Sequence, residues 1–397
     1  MTQTTESTVY KVCIITSTRA DWGLLRPLAS VLSRRPDIDL QIIATNMHLL
    51  EKYGMTADEI TADGFSISAR VPMTDTGSSE ASRVRAMAQC LSGMADALAQ
   101  LRPDAVIVLG DRYEIMAATE AAAMMQIPII HIAGGEISEG AVDDCIRHAI
   151  TKFASLHLTA TEQYRRRVIQ LGEQPDTVYN TGAIGVWNAM NMEVPDRSSL
   201  EQDLDFSLAG DIAVVTLHPA TNEREISAGT QADALLKALD RFPELRSVIT
   251  YPNNDARSDE IIERITAYAQ RNPDRVCLVK SLGQKRYLGM LRVAKAVIGN
   301  SSSGIVEVPS AGIPTVDIGI RQQGRLAAPS VIHCGSSADE ITAAIASALS
   351  PDMQTLAARR ENPYYKPDTL SIMEQAITDF LHGLPYGPKR FFNILSD

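Results

Sequence analysis

Acidic and basic side chains gather at a few places in this sequence, each directly after a short apolar run. Gly110-Asp111-Arg112-Tyr113-Glu114 follows the apolar run 105–109. An acid beside an arginine can do acid–base work, while the arginine grips a phosphate or keeps the acid ionised; a structural ion pair is the plain alternative. His131-Ile132-Ala133-Gly134-Gly135-Glu136 ends another apolar run, and Asp143-Asp144 and Arg147-His148 come soon after. Paired glycines let backbone approach a ligand closely, and Glu136 and Asp143 add carboxylates. On the plain reading, Asp143-Asp144 cap a helix before Cys145 and His131 is a satisfied core histidine. Thr16-Ser17-Thr18-Arg19-Ala20-Asp21 offers a forked phosphate donor in Arg19, or simply a helix start with Asp21 as its N-cap.

A second group has the chemistry of anion binding. Gly299-Asn300-Ser301-Ser302-Ser303-Gly304 precedes a helix expected to open at Ile305. Backbone amides and serine hydroxyls there suit a diphosphate, and Glu307 can accept from ribose hydroxyls. Leu217-His218-Pro219 turns a donating or cationic histidine out of a strand end. Asn253 and Arg321 occupy similar places after later runs. The serine loop is neither a GK[ST] phosphate loop nor GxGxxG.

Positioning these groups requires strands that end where the chemistry begins. Apolar runs at 11–16, 40–44, 105–109, 127–132, 156–159 and 177–180 alternate with helix-period segments. The pattern restarts at 212–217, 247–251, 276–279, 296–298 and 314–318. Continuous Val/Ile-rich runs separated by helices indicate parallel sheets covered on both faces. The expectation is an α/β chain of two Rossmann-like domains facing each other across a cleft. Residues 1–182 would carry the acid/base carboxylates and 183–365 the nucleotide site. Residues 366–397 would form a helix and tail able to pack back on the first domain. In such sheets ligands bind beyond the strand C-termini.

The bulk numbers agree with an enzyme of this kind. A chain of 397 residues exceeds one comfortable core. With 45% hydrophobic and 21% charged residues it reads as globular. A net charge of −11 argues against coating nucleic acid. No apolar run nears the ~20 residues of a membrane span, and no secretory pattern opens the chain, so a cytoplasmic protein is expected. Cys13, Cys90, Cys145, Cys277 and Cys334 are scattered, without CxxC or HExxH, and read as buried free thiols. Neither a metal nor another cofactor is expected.

The segments TSTRADWG, GDRYE, HIAGGE with DDCIRHAITK, HP, and GNSSSGIVEVPSAGIPTVDIGIRQQGR together resemble the hydrolysing UDP-N-acetylglucosamine 2-epimerases of bacterial sialic acid synthesis. The resemblance runs from about residue 11 to 393 and extends to the epimerase domain of the bifunctional animal enzyme. It implies UDP-N-acetylglucosamine as first substrate, with UDP- or GDP-linked diacetamido-trideoxy sugars of the legionaminic acid route as alternatives. It also implies a GT-B-like arrangement of the two domains and a homodimer or homotetramer. Asp111, Glu136, Asp143 and His218 then form the expected catalytic set. Arg19, Arg112, His218, Asn253, Leu282, Ser301, Ser302, Ser303, Glu307 and Arg321 form the expected substrate-binding set. Ala133 departs from the pattern, because relatives carry Glu or His there and an alanine moves no proton. Ala20-Asp21 and Arg112 replace residues typical of the non-hydrolysing cousins. A retaining glycosyltransferase, a non-hydrolysing epimerase and a non-enzymatic nucleotide-sugar sensor are the rival readings.

Overall fold

The computed structural model describes residues 8–74, 80–139, 141–220, 226–253, 255, 257–384 and 387–394. It contains two wholly parallel sheets. The first has seven strands in the order β3-β2-β1-β4-β5-β6-β7. They are β1 Tyr10–Thr16, β2 Ile38–Thr45, β3 Ala69–Val71, β4 Ala105–Leu109, β5 Ile129–Ile132, β6 Leu156–Thr159 and β7 Val178–Asn180. The second has six in the order β10-β9-β8-β11-β12-β13. These are β8 Ile212–Thr216, β9 Arg246–Thr250, β10 Val276–Val279, β11 Ala296–Gly299, β12 Thr315–Ile318 and β13 Val331–Cys334. Two α/β sheets with interleaved helices are what the apolar runs imply, since strands covered on both faces need no polar alternation.

Both orders reverse in the middle, between β1 and β4 in one sheet and between β8 and β11 in the other. Crevices beyond the strand C-termini open at such switch points. The loops after β1 and β4 begin at Ser17 and Gly110, and those after β8 and β11 at Leu217 and Asn300. Four of the five candidate loops therefore flank a reversal, and the fifth follows β5, one strand away.

The chain divides into two compact units. Unit 1 comprises Met1–Glu136, Asp143–Ile184 and Lys366–Asp397; unit 2 comprises Ile137–Val142 and Gly185–Tyr365. Within unit 1, the helix Thr369–His382 packs on the helix Arg19–Leu32, with Glu374 accepting from Arg35 at 3.0 Å. Within unit 2, the Glu139 amide donates to the Gln323 carbonyl at 3.1 Å. The unit 1 core under one sheet face includes Ile15, Val106, Val108, Cys90, Met94 and Leu98. The last three lie on the helix Glu80–Leu101, which the apolar pattern does not signal. Gly93 of that helix leaves room for the Val71 side chain, where a Cβ would stand 2.7 Å from it.

Three local expectations are corrected. The helix at 184–191 (Ile184–Asn191) falls where periodicity lapses. Strands β3 and β13 are too short to register as apolar runs. Only Cys13 and Cys90 are buried, whereas Cys145 is exposed and Cys277 and Cys334 are intermediate, because helix and edge-strand positions leave one side open. Among the described residues, no helix is long and apolar enough to cross a membrane.

Candidate active site

The loop after β1 is held by a carboxylate. Thr18 is the N-cap of Arg19–Leu32, and the Asp21 amide donates to its hydroxyl at 3.1 Å. In return the Asp21 carboxylate accepts from the Thr18 amide (3.0 Å) and hydroxyl (2.7 Å), and from the Ser17 hydroxyl (2.5 Å). Asp21 is thus the third helical residue of a capping box and not the N-cap itself. Arg19 pairs with the half-exposed Glu59 at 2.5 Å. A pair that open to water contributes about 0–1 kcal/mol, so an arriving phosphate can take Arg19 over. Behind the loop, buried His48 bridges the hydroxyls of Thr16 (Nε2, 3.0 Å) and Thr56 (Nδ1, 2.8 Å). Burial drives its pKa down to about 4. Nothing in the local sequence marks His48, because its partners lie 32 and 8 residues away.

After β4, Gly110 turns the chain at φ +78. Arg112 does not hold the neighbouring Asp111. It folds onto fully buried Glu114, Nε to Oε1, at 2.7 Å. The partner of Asp111 is Arg147, which is 1% exposed. The other arm of the same guanidinium donates to the Glu136 carbonyl (2.9 Å) and reaches the Asp144 carboxylate (3.5 Å). One buried cation therefore joins three of the segments that the sequence singles out. Sequence reasoning left Arg147 out of the site because a charge in a helix ordinarily faces water.

The helix bearing it, Asp143–Phe153, begins at Asp143, so Asp143 and Asp144 are first-turn acids and do not precede the helix as caps. Acids there complement the helix dipole. Asp144 also lies 3.7 Å from His148, whose pKa is lowered chiefly by burial. His131 is the satisfied core histidine of the plain reading. Its Nε2–H donates to the Gly110 carbonyl at 2.8 Å, and Nδ1 meets the Thr151 hydroxyl at 3.2 Å. Burial pushes its pKa down to about 3.

The segment after β5 is tightly built. Ala133 and Gly135 both have left-handed backbone, at φ +67 and +78. A Cβ on Gly135 would stand 2.5 Å from the Tyr164 carbonyl, and one on Gly134 would be 3.0 Å from the Thr151 hydroxyl. Arg167 donates to the Gly135 carbonyl at 2.5 Å. Glu136, which ends this segment, is 6% exposed.

In unit 2 the described residues of the equivalent loops are joined mainly by uncharged groups. Asn300 is 2% exposed and ties β8 to β11. The His218 amide donates to its Oδ1 at 2.7 Å, and its Nδ2 donates to the His218 carbonyl at 2.8 Å. The Asn253 amide donates to His218 Nδ1 at 3.1 Å. That bond leaves the proton on Nε2, so His218 is a neutral donor and not a cation. Asn253 contributes here through its backbone. Arg321 (3.1 Å) and Gln322 (2.8 Å) both donate to the Asn300 carbonyl. Asn300 and Gln322, absent from the expected set, thus organise the loop.

The helix after β11 is Ser302–Val306, opening at Ser302 and not at Ile305. Five residues make little dipole, so amides and hydroxyls must carry any anion affinity. The N-cap Ser301 makes no side-chain capping bond, exposed Ser302 faces solvent, and Ser303 donates to the Tyr287 hydroxyl at 2.6 Å. The Glu307 carboxylate sits against Gly185, where a Cβ would have no room. Leu282 is buried in the unit 2 core, and its carbonyl accepts from Arg286 at 2.8 Å.

Residues 30–378 match the family described as UDP-N-acetylglucosamine 2-epimerase. A Campylobacter jejuni relative, a GDP/UDP-N,N'-diacetylbacillosamine 2-epimerase (hydrolyzing), is 37% identical, covering 81% of this chain and 83% of that protein. The Escherichia coli polysialic acid biosynthesis protein P7 is 36% identical, covering 97% of both chains. The crystal structure of Neisseria meningitidis UDP-GlcNAc 2-epimerase bound to UDP-GlcNAc superposes with a TM-score of 0.78 at 18% identity, covering 93% of this chain and 100% of that one. That likeness is one of fold, and it places the two Rossmann-like sheets in the GT-B-like class. With most of its length matched by the family and by relatives of such identity, the chain belongs to the UDP-N-acetylglucosamine 2-epimerase family.

Proposed function

We propose that this enzyme is a hydrolysing 2-epimerase that converts a UDP-linked 2-acetamido sugar to UDP and the free sugar of manno configuration. The observation that supports it most is one buried guanidinium, Arg147, which holds Asp111, takes the Glu136 carbonyl and lies on the helix that Asp143 begins. Acids pinned in this way keep their geometry while a proton comes and goes.

The C2 proton of the substrate is not acidic, since no carbonyl is adjacent in the ring. Loss of the diphosphate must generate positive charge at C1 before or while that proton leaves. Stabilising the departing anion is then the largest catalytic contribution. Arg19, Arg112, Arg321, the Nε2–H of His218 and the amides and hydroxyls of Ser301, Ser302 and Ser303 serve it, with Glu307 for the ribose. A carboxylate takes the C2 proton as the C1–O bond breaks, giving UDP and a 2-acetamidoglucal. Water then supplies hydroxyl to C1, and a second acid returns a proton to C2 from the opposite face. Asp111, Asp143 and Glu136 supply these two groups, which accommodates Ala133.

For the sugar, the motifs put UDP-N-acetylglucosamine first. The activity named for the C. jejuni relative favours GDP- or UDP-linked N,N'-diacetylbacillosamine, whose sugar differs at C4 and C6. Proton NMR of both compounds with the enzyme in heavy water separates the readings. The expected result is free manno sugar, deuterated at C2, with stoichiometric UDP. Nucleotide still attached to the epimer means a non-hydrolysing enzyme. Turnover only after an acceptor is added means a glycosyltransferase, and C2 retaining its original hydrogen ends the elimination scheme.

A further inference from the structure

Residues 387–394 follow the final helix and lie on unit 1. The Phe392 amide donates to the Gly172 carbonyl at 2.8 Å, and the Phe391 ring fills the space where a Gly172 side chain would be. Lys389 turns its ammonium into the end of the helix Asp143–Phe153. There it donates to the carbonyls of Lys152 (2.7 Å) and Ala154 (2.6 Å) and lies 3.5 Å from that of Thr151. It also pairs with Glu173 at 2.7 Å, a carboxylate 1% exposed that accepts from Lys152 (2.5 Å) and His157 (3.0 Å) as well. Burial alone would raise the Glu173 pKa, but His157 and the two lysines reverse that and hold it at about 2.

This arrangement exceeds what tying down a tail requires. The last carbonyls of a helix have no partner within it, and a cation placed there also answers the negative end of the dipole. The opposite end of this helix presents Asp143, Asp144 and Arg147. Its register reaches the acid–base loops at a second point. Thr151 touches His131, His131 holds the Gly110 carbonyl next to Asp111, and Gly134 packs on both side chains. A slip of this helix by a fraction of a turn would move Arg147 and Thr151 together, and Asp111 with them.

We propose that Lys389 is a positioning residue: it fixes the helix Asp143–Phe153 from behind, so that the acids around Arg147 stand where the chemistry needs them. This rests on the reading of Asp111 and Asp143 as acid–base groups. Small misplacements of catalytic groups can cost as much as about a hundredfold in rate. Lys389→Met should therefore lower kcat about tenfold with KM within about twofold. It should also hasten amide exchange at residues 147–150, the first amides that bond within this helix. Lys389→Gln, which keeps a donor without charge, should fall between, and Lys389→Arg should recover at least half of kcat. Arg35→Ala releases the final helix from Glu374 elsewhere on the same unit. It should lower the melting temperature and leave both kcat and the exchange of 147–150 unchanged. The proposal is overturned if Lys389→Met and Lys389→Gln lower only the melting temperature, or if Arg35→Ala reproduces their effect on kcat. Should the wild-type protein turn over no nucleotide sugar, the proposed function fails, and exchange at 147–150 in the same variants decides the clamp by itself.

Discussion

The two pairs of strand-end loops occupy equivalent places in their sheets and are built from opposite materials. In unit 1, ions hold ions: Arg147 on Asp111 and Asp144, Arg112 on Glu114, Arg19 on Glu59. In unit 2, an amide side chain, a histidine and backbone groups hold one another around Asn300. Arg321, which donates to the Asn300 carbonyl and lies 4.0 Å from the Asp255 carboxylate, is a cation of this cradle, and the neutral groups around it cost little to bury once they are hydrogen-bonded. An ionic cluster with more acids than bases is well suited to accept a proton, while its arginines Arg19 and Arg112 can still answer a phosphate. On the proposed reading, the carboxylates that move the proton lie in unit 1, and the diphosphate is held from both units, by Arg19 and Arg112 in one and by the loops around Asn300 in the other.

The largest test of that separation is Asp111→Asn. It should reduce kcat by about a thousandfold, within the range for loss of an acid–base group, while UDP binding measured by calorimetry is unchanged. An equal loss of UDP affinity would erase the distinction between the units. Next, Arg147→Met should destabilise unit 1 by about 3–5 kcal/mol, because a buried ion pair is broken and acceptors are stranded. Asn300→Ala should cost about 1–3 kcal/mol in unit 2, because only neutral groups lose partners. Urea unfolding of each variant compares the two.

Acidification sharpens the contrast further. His131 and His48 titrate in the folded state at about 3 and about 4, against an ordinary 6.5. Their stabilising contribution is complete above pH 6.5 and is lost as pH falls towards the folded values. His333 has its pKa raised, first by its hydrogen bond to Asp317. Its contribution is complete below pH 6.5 and is lost as pH rises through the folded value. Between pH 6.5 and 5, His131→Gln should remove about 1.4 kcal/mol per pH unit from the slope of stability. His333→Gln should leave that slope steeper, by a smaller amount. Denaturant midpoints across this window give both signs. Smallest of all, Ala133→Gly should be neutral to about 1 kcal/mol stabilising, since it relieves a left-handed alanine. Activity should be retained, in keeping with a methyl group that moves no proton.

Much of this was legible in the sequence because parallel strands buried on both faces appear as unbroken apolar runs. Ala105–Leu109 and Ile212–Thr216 therefore announced both the class and the places where loops carry chemistry. The helix Glu80–Leu101 escaped because its buried side includes Ala86, Cys90 and Ala97, which give periodicity little contrast. At the site, residue types were legible and partners were not. Arg112 stands next to Asp111 in the chain, yet Arg147, 36 residues on, holds it. His48 and Asn300 act through residues 32 and 82 positions distant. Such choices belong to the packing of sheets and helices and leave no local pattern.

The direction of β1 has a practical side. Its seven residues run from Tyr10 to Thr16, so the chain enters this strand on the face of unit 1 opposite the loop that bears Arg19. At about 3.3 Å per residue the separation is roughly 20 Å. A biotin handle or sensor-chip tether joined ahead of Val9 would keep the Arg19 loop clear of the surface during ligand titrations. The same handle fused after Phe392 would pull on the segment that seats Lys389.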